Sequence, residues 1–409
     1  MTIPFCSRHS GRAAAFVAAT FMSAGSLAAE RLSEADAITR ALAQPELIAL
    51  GEANRAEAQA RIAGIRRFDN PEVSISREGV SGGGASETEY EAGIVQPFDL
   101  SGQRTRLRDA ARAEARAVDA DTARRQQERV AEVRRAYAGC AAAREKVPVA
   151  ESFVARLREA ERIVAARTRA GDTAGYDLRR LRVEARSAEA RSRLIAGDVA
   201  AECTALSRLT GDPDARPSSP LSEIARRPVS PATTSGTRAD LLARQARLEA
   251  ATLGVRAAER ARIPEFAVGL GYKRITSAGE SASGPVVSLG ARVPLFNRGG
   301  AAISEARARQ RAREAELGLA QREIEAAVAV AKARVDAALQ ALQSATQALD
   351  DARRLGPIAE AAYQGGEGGV TELVDAYRAA QEAEIEVIDL LERAALARVD
   401  AELSIGSVS

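Results

Sequence analysis

The chain has 409 residues, 58 Lys+Arg against 56 Asp+Glu, a formal net charge of +2 and a single His. Aromatics make up 3% and charged residues 28%, the basic ones almost all Arg, since Lys stands only at 146, 273 and 332. A nearly neutral chain this poor in aromatics excludes nucleic acid as a partner, and its wealth of Ala, Arg and Glu points to long helices rather than one thick core.

Residues 1–29 read as a secretory signal peptide. Arg8 and Arg12 form a basic n-region, 13–22 an apolar h-region, and Ser26-Leu27-Ala28 a small-x-small cleavage site. The alternative is an N-terminal anchor, but the apolar run is well short of the ~20 residues that a span needs. Cys6 precedes the h-region, on the wrong side for lipid attachment. Cleavage removes Arg8, Arg12 and His9, leaving equal numbers of basic and acidic residues and no histidine. Without His there is no Ser-His-Asp or Cys-His chemistry, and Cys140 and Cys203 are too few for a thiolate cage. No phosphate loop or dinucleotide fingerprint follows a strand. The expectation is therefore no enzyme, no cofactor and no metal centre.

Helical runs are expected at 33–66, 103–169, 178–210, 237–262, 299–362 and 372–405, and strands at 71–79, 88–98, 264–273 and 285–295. The links 79–88 and 274–284, rich in Gly, Ser and Glu, read as exposed loops. Residues 212–236, rich in Pro, Ser and Thr and without a period, read as a linker or mid-height collar. The two longest runs would each span ~100 Å at ~1.5 Å per residue. Helices of that length need lateral neighbours, and a short helix above and another below the midpoint would match one long one.

The chain also repeats itself, with one half at 30–211 and the other at 237–409. Asn70-Pro71-Glu72 is echoed by Ile263-Pro264-Glu265. The corner Gln96-Pro97-Phe98-Asp99-Leu100-Ser101-Gly102 is echoed by Val293-Pro294-Leu295-Phe296-Asn297-Arg298-Gly299. Each long run ends in a glycine break, at 170–177 and 364–371, with Gly171 aligned to Gly366 and Asp177 to Glu372. Within the strands one face is apolar (Val73, Ile75, Ile94, Val268, Leu270, Val287, Leu289) and the other small or charged. A half-buried antiparallel sheet gives that pattern; so does a membrane barrel around water. The signal peptide and the aromatics at strand ends (Phe68, Tyr90, Phe98, Phe266, Tyr272, Phe296) favour the barrel. Four strands cannot enclose water, so several chains would have to share one cylinder.

The order helix, strand pair, long helix, glycine break, helix, linker, then the same again resembles the TolC family of outer-membrane efflux ducts. The phrases around Asn70, Gln96–Arg104 and Pro294–Arg298 look most like its cobalt-zinc-cadmium (CzcC-like) heavy-metal branch. The resemblance implies an α+β membrane protein. It would be a homotrimer with four strands per chain in an outer-membrane β-barrel, continued by a periplasmic helical barrel. A periplasmic adaptor and an inner-membrane resistance-nodulation-division pump would be its partners, and outer-membrane lipid its surroundings. It implies a passive duct for divalent heavy-metal cations; a duct for drugs or for type I protein secretion is the alternative, and a periplasmic coiled-coil spacer a third reading. By the same resemblance Gly171 and Gly366 fall at adaptor-docking tips, although a turn alone calls for glycine. Glu372 and Asp375 match an acidic ring at the inner mouth, although acids early in a helix also suit its dipole. Asp177 and Tyr363 match a gate pair, whose usual partner arginine is replaced here by Gly368. Separately, Cys140 lies 31 residues before Gly171 and Cys203 32 after it. On antiparallel helices the two share one height, and in the oxidising periplasm they would pair as a disulfide or remain two buried thiols.

Overall fold

A computed structural model describes residues 31–66, 68–83, 85–171, 175–229, 238–277 and 279–407. The expected signal peptide lies outside the described residues. In chain order the elements are β1 (Arg31–Leu32), α1 (Glu34–Leu42), α2 (Pro45–Gly64), β2 (Glu72–Gly82), β3 (Ala85–Phe98), α3 (Gln103–Ala170) and α4 (Gly175–Thr210). They continue as β4 (Arg216–Pro217), α5 (Leu221–Arg226), α6 (Ala239–Arg260), β5 (Glu265–Ser277), β6 (Glu280–Arg292), α7 (Gly300–Gly365) and α8 (Val370–Ile405).

The expected helix at 33–66 is two helices. Gln44 takes an extended backbone and Pro45, at the first position of α2, has no N–H with which to continue α1. Gln44 instead donates from its side chain to the carbonyls of Arg208 and Leu209, at 3.3 and 2.8 Å. The links expected as loops are mostly strand: β2 and β3 pair out to Gly82 opposite Ala85, and β5 and β6 out to Ser277 opposite Glu280. Ladder bonds hold these polar residues in register, whatever their poor strand propensity. β6 stops at Arg292, short of the expected 295, just before Pro294, which has no N–H to offer a ladder. The stretch 212–236 carries structure as well: β4 pairs in parallel with β1, and α5 follows. Residues 230–236 of that stretch lie outside the described part.

The sheet runs β2-β3-β5-β6, antiparallel throughout, leaving β2 and β6 as edges. The helices repeat that order. In the half nearer the sheet, α2 packs on α3, α3 on α6 and α6 on α7; in the far half, α4 packs on α3, α3 on α8 and α8 on α7. The chain is thus a strip four elements wide along its whole length.

Both long helices start and stop on glycines at positive φ: Gly102 and Gly299, each at 71°, before the first turn, and Gly171 (87°) and Gly366 (79°) after the last. Side chains with a Cβ are strained there. Asp99 fixes the start of α3, accepting the N–H groups of Ser101 (2.9 Å) and Arg104 (3.1 Å). Burial pushes its carboxyl up, but the Ser101 and Arg104 hydrogen bonds and the Arg104 charge prevail and hold it below the usual carboxylate value. Asn297 does the same work before α7, accepting from Gly299 N–H at 3.1 Å.

Among the described residues two large apolar cores lie along the strip, with a small cluster of Ala117, Ala243 and Ala246 between α3 and α6. One, at mid-height, gathers Val133, Tyr137, Leu206, Leu209, Leu221, Ile224 and Leu391. Tyr137 is fully buried there, donating to the carbonyl of Leu32 (2.9 Å) and accepting from the N–H groups of Ser218 (3.0 Å) and Ser219 (3.2 Å). One phenol therefore fastens β1 and β4 to α3. The other core, near the glycine breaks, gathers Leu157, Val164, Leu181, Tyr363, Leu373, Val374 and Tyr377.

Candidate functional site

The register sorts the sheet's side chains onto two unlike faces. Val73, Ile94, Leu270 and Val287 form one row across all four strands, with Ile75, Ala92, Tyr272 and Pro285 in the next. Below them lie Gln96, Val268 and Leu289, then Phe98, Phe266 and Ala291. Gln96, Phe98 and Phe266 are half-buried, but the chain leaves the rest bare: Ile75 is 83% exposed, Leu289 78%, Val287 74% and, at the foot of the sheet, Phe296 102%. Soluble monomers rarely carry so continuous an apolar face, and covering each such side chain stabilises by about 1.5–3 kcal/mol. From the Phe98 row to the Ala92 row the uncharged band runs ~20 Å along the strands at ~3.3 Å per residue, and the Tyr90 row lies one step beyond it; apolar bands of membrane barrels are ~25 Å tall.

The opposite face is mixed, with small and charged residues among Val80, Val95, Ile275 and Val286. Every strand carboxylate points that way: Glu72 and Glu78 on β2, Glu87, Glu89 and Glu91 on β3, Glu265 on β5 and Glu280 on β6. Only Lys273 and Arg292 oppose them on that face, paired with Glu89 and with Glu265 respectively. Glu78 and Glu89 stand directly opposite each other, a like-charge pairing that costs a sheet stability. The small residues of this face are crowded: a Cβ on Gly269 would come within 2.2 Å of Ser288 Oγ, and one on Gly271 within 3.0 Å of the Ala92 carbonyl.

At the other end of the strip the hairpin tips come together. Gly171 and Gly366 close α3 and α7, and residues 172–174 of the first tip lie outside the described residues. Glu372 and Asp375 are exposed on the first turns of α8. Glu372 accepts the N–H of Gly369 at 3.0 Å, so it caps the helix. Asp375 faces Arg378 at 3.4 Å, which also pairs with Glu184 on α4 at 2.9 Å. Tyr363 is buried under the guanidinium of Arg167, 4.9 Å from its ring, and its hydroxyl has no hydrogen-bond partner. Asp177 lies half-buried in the first turn of α4 and no bond joins it to Tyr363 within the chain.

Arg167, which the sequence did not single out, also joins the two hairpins. It donates to the carbonyls of Tyr363 (3.2 Å), which the Gly366 N–H also reaches, and Gln364 (3.3 Å), in the last turn of α7. A basic residue in the final turn of α3 was the only sequence signal, and such residues commonly serve their own helix end. Nearby, Arg156 lies 5.8 Å from the Tyr377 ring, and Tyr377 donates to Glu360 at 2.7 Å. Burial and that carboxylate push the Tyr377 phenol well up. Higher on the strip Cys140 and Cys203 form a disulfide between α3 and α4, with their Cα atoms 4.7 Å apart. Among the described residues no helix is long and apolar enough to cross a membrane, and no group of acidic, Cys or His side chains is arranged to hold a metal ion.

Comparison with known proteins places these features. The chain is 29% identical over 314 residues to the nickel-cobalt-cadmium resistance protein NccC of Alcaligenes xylosoxydans xylosoxydans, covering 74% of this chain and 70% of that one. Its fold matches the crystal structure of CusC with a TM-score of 0.75 at 19% identity, over 91% of this chain and 92% of that one. It matches the outer membrane protein VceC of Vibrio cholerae with a TM-score of 0.74 at 18% identity, over 91% and 96%. The model of the outer membrane efflux protein family matches residues 24–212 and 233–407. The strip with one bare apolar face thus has its explanation: the chain belongs to the outer membrane efflux protein family.

Proposed function

We propose that three copies of this chain form a passive outer-membrane duct. It would carry divalent heavy-metal cations of the cobalt, zinc and cadmium type outward from a resistance-nodulation-division pump and its periplasmic adaptor. The observation that carries this reading is the open strip: β2, α2 and α4 form one bare edge and β6 and α7 the other. Pairing the first edge of one copy with the second edge of the next gives a closed ring. Three sheets make a barrel of about twelve strands, which is wide enough for water. The apolar rows then face lipid and the carboxylates face the lumen. The helices continue the same ring as a tunnel across the periplasm, from two duplicated halves.

The metal assignment is supported by the likeness to NccC and by the lumen face, on which seven carboxylates stand against two cations. Such a lining draws cations and repels anions. The inner mouth is formed by the hairpin tips. There Glu372 and Asp375 supply acidic groups, Asp177 and Tyr363, not bonded to each other within one chain, are the gate pair, and the turns at Gly171 and Gly366 receive the adaptor.

The test is cell-associated zinc, cobalt and cadmium in a strain lacking this protein, with a fluorescent drug-like dye followed alongside. Metal accumulation without dye is the expected result. Dye accumulation alone would keep the duct and refute the metal cargo.

A further inference from the structure

We propose that Arg77 and Arg274, with Tyr90 between them, form a site for a phosphate-bearing lipid headgroup on the outer wall of the barrel. The inference rests on the reading of the sheet as a membrane wall.

The lipid-facing side of the sheet is uncharged over its whole apolar band. Its only two charged residues are Arg77 on β2 and Arg274 on β5, and both pair with the same residue, Tyr90 on β3, in a single row across the sheet. That row comes immediately after the apolar rows, one step toward the hairpin ends and away from the helices. Beyond it the same face carries only Gly79, Thr88, Thr276 and Ser281 in one row and Ser81 and Ser86 in the next. The two cations therefore sit at the distal rim of the apolar band, where hydrocarbon ends and headgroups begin.

Their chemistry fits an anion. Both side chains are exposed, and neither forms an ion pair among the described residues. No carboxylate shares their face, because all seven strand carboxylates point to the lumen. Arg77 lies 5.6 Å from the centre of the Tyr90 ring, a contact that holds a guanidinium's plane while leaving its N–H fork open. Tyr272, one row below, turns its hydroxyl up to Ser283, at 2.9 Å, in the arginine row. Two guanidiniums flanking a tyrosine, with hydroxyls beside them, match a phosphate monoester or diester, which accepts bidentate N–H donors. A lipid presents that group at this height with its acyl chains lying on the apolar rows beneath. A free phosphate gains nothing from those rows.

The experiment uses the purified full-length protein in detergent, with diphosphoryl lipid A as the probe and native mass spectrometry as the readout. Dephosphorylated lipid A is the second probe and inorganic phosphate the competitor. Insertion into phosphatidylcholine vesicles is measured on the same preparations. With each arginine near a phosphate contributing about 1 kcal/mol, R77Q/R274Q is expected to bind diphosphoryl lipid A about thirtyfold more weakly, and each single variant about fivefold. The wild type is expected to bind the dephosphorylated probe as weakly as the double variant does, and phosphate alone is expected not to displace the lipid. Equal binding by wild type and double variant, with both inserting normally, would overturn the site and leave the membrane wall standing. Displacement by inorganic phosphate would overturn the lipid assignment. Failure of the wild type to insert into vesicles would overturn the wall and the site together.

Discussion

At Tyr137 one atom holds three backbone groups. Its hydroxyl is removed by Tyr137→Phe, which keeps the ring among Val133, Leu206 and Leu209. Three backbone groups then change partners. The Ser218 N–H and the Leu32 carbonyl still bond each other at 3.0 Å, so each loses only a second, shared bond. The Ser219 N–H, whose partner was the phenol at 3.2 Å, is orphaned. A fully buried orphaned donor costs about 1–3 kcal/mol; Ser219 is half-buried, so the expected loss is at the low end, about 1 kcal/mol. The assay is urea unfolding of the full-length protein in detergent, followed by helical circular dichroism, together with hydrogen exchange over 212–226. Exchange at 218 and 219 is expected to quicken while the tip amides stay unchanged. Tyr137→Leu, which removes the ring as well, is expected to cost clearly more. A loss below about 0.5 kcal/mol with unchanged exchange would refute the view that this phenol fastens the N-terminal strand.

Other consequences follow from the same geometry. The Cys140–Cys203 disulfide closes a sequence separation of 63 residues, for which the chain-entropy model gives about 4 kcal/mol. C140S/C203S is expected to unfold at lower urea, and peptide mapping that recovers both cysteines as free thiols from unreduced protein would end the idea. Lys146 contacts Asp389 at 2.6 Å and Glu392 at 3.7 Å. Burial works against its charge, but Asp389 and Glu392 prevail and raise its pKa, so its contribution is full at neutral pH and fades as alkali passes the folded value. Glu392 is pushed up by burial, aided by Asp389 and Glu202 against Lys146, so its ionisation costs stability that returns as the pH falls through its folded pKa. Lys146→Met is therefore expected to cost about 1–2 kcal/mol at pH ~7, with the gap to wild type narrowing in acid; a gap that widens in acid would refute the assignment. Arg167→Ala is expected to speed amide exchange over 362–370 without altering exchange at mid-height, and equal exchange in both proteins would show that the tips are held by packing alone.

Several features were legible because they depend on local rules. Glycines at 102, 171, 299 and 366 stand where a long helix must start or stop with positive φ, a demand that glycine meets without steric cost. Strand alternation showed which side chains share a face, since the period of two is a property of the extended backbone. The matched spacing of Cys140 and Cys203 from Gly171 followed from a constant rise per residue. The break at Pro45 was also written in the sequence, in the missing N–H, but the expected helix ran through it. The strand ends beyond 79 and 273 were not legible, because ladder pairing with a neighbour overrode the poor strand propensity of Gly, Ser and Glu there.

What the sequence determined by itself was the inventory: long helices, four alternating strands, two glycine tips and no histidine beyond His9. What only the tertiary structure decided was which residues meet across long separations. The row Arg77–Tyr90–Arg274 exists because β3 pairs with β5 across the 103–262 excursion. Arg167 reaches Tyr363 because two tips 196 residues apart in sequence lie side by side. Periodicity fixes the face on which a side chain lies. Register and helix packing fix its neighbours, and those depend on the free energy of the whole strip rather than on any segment of it.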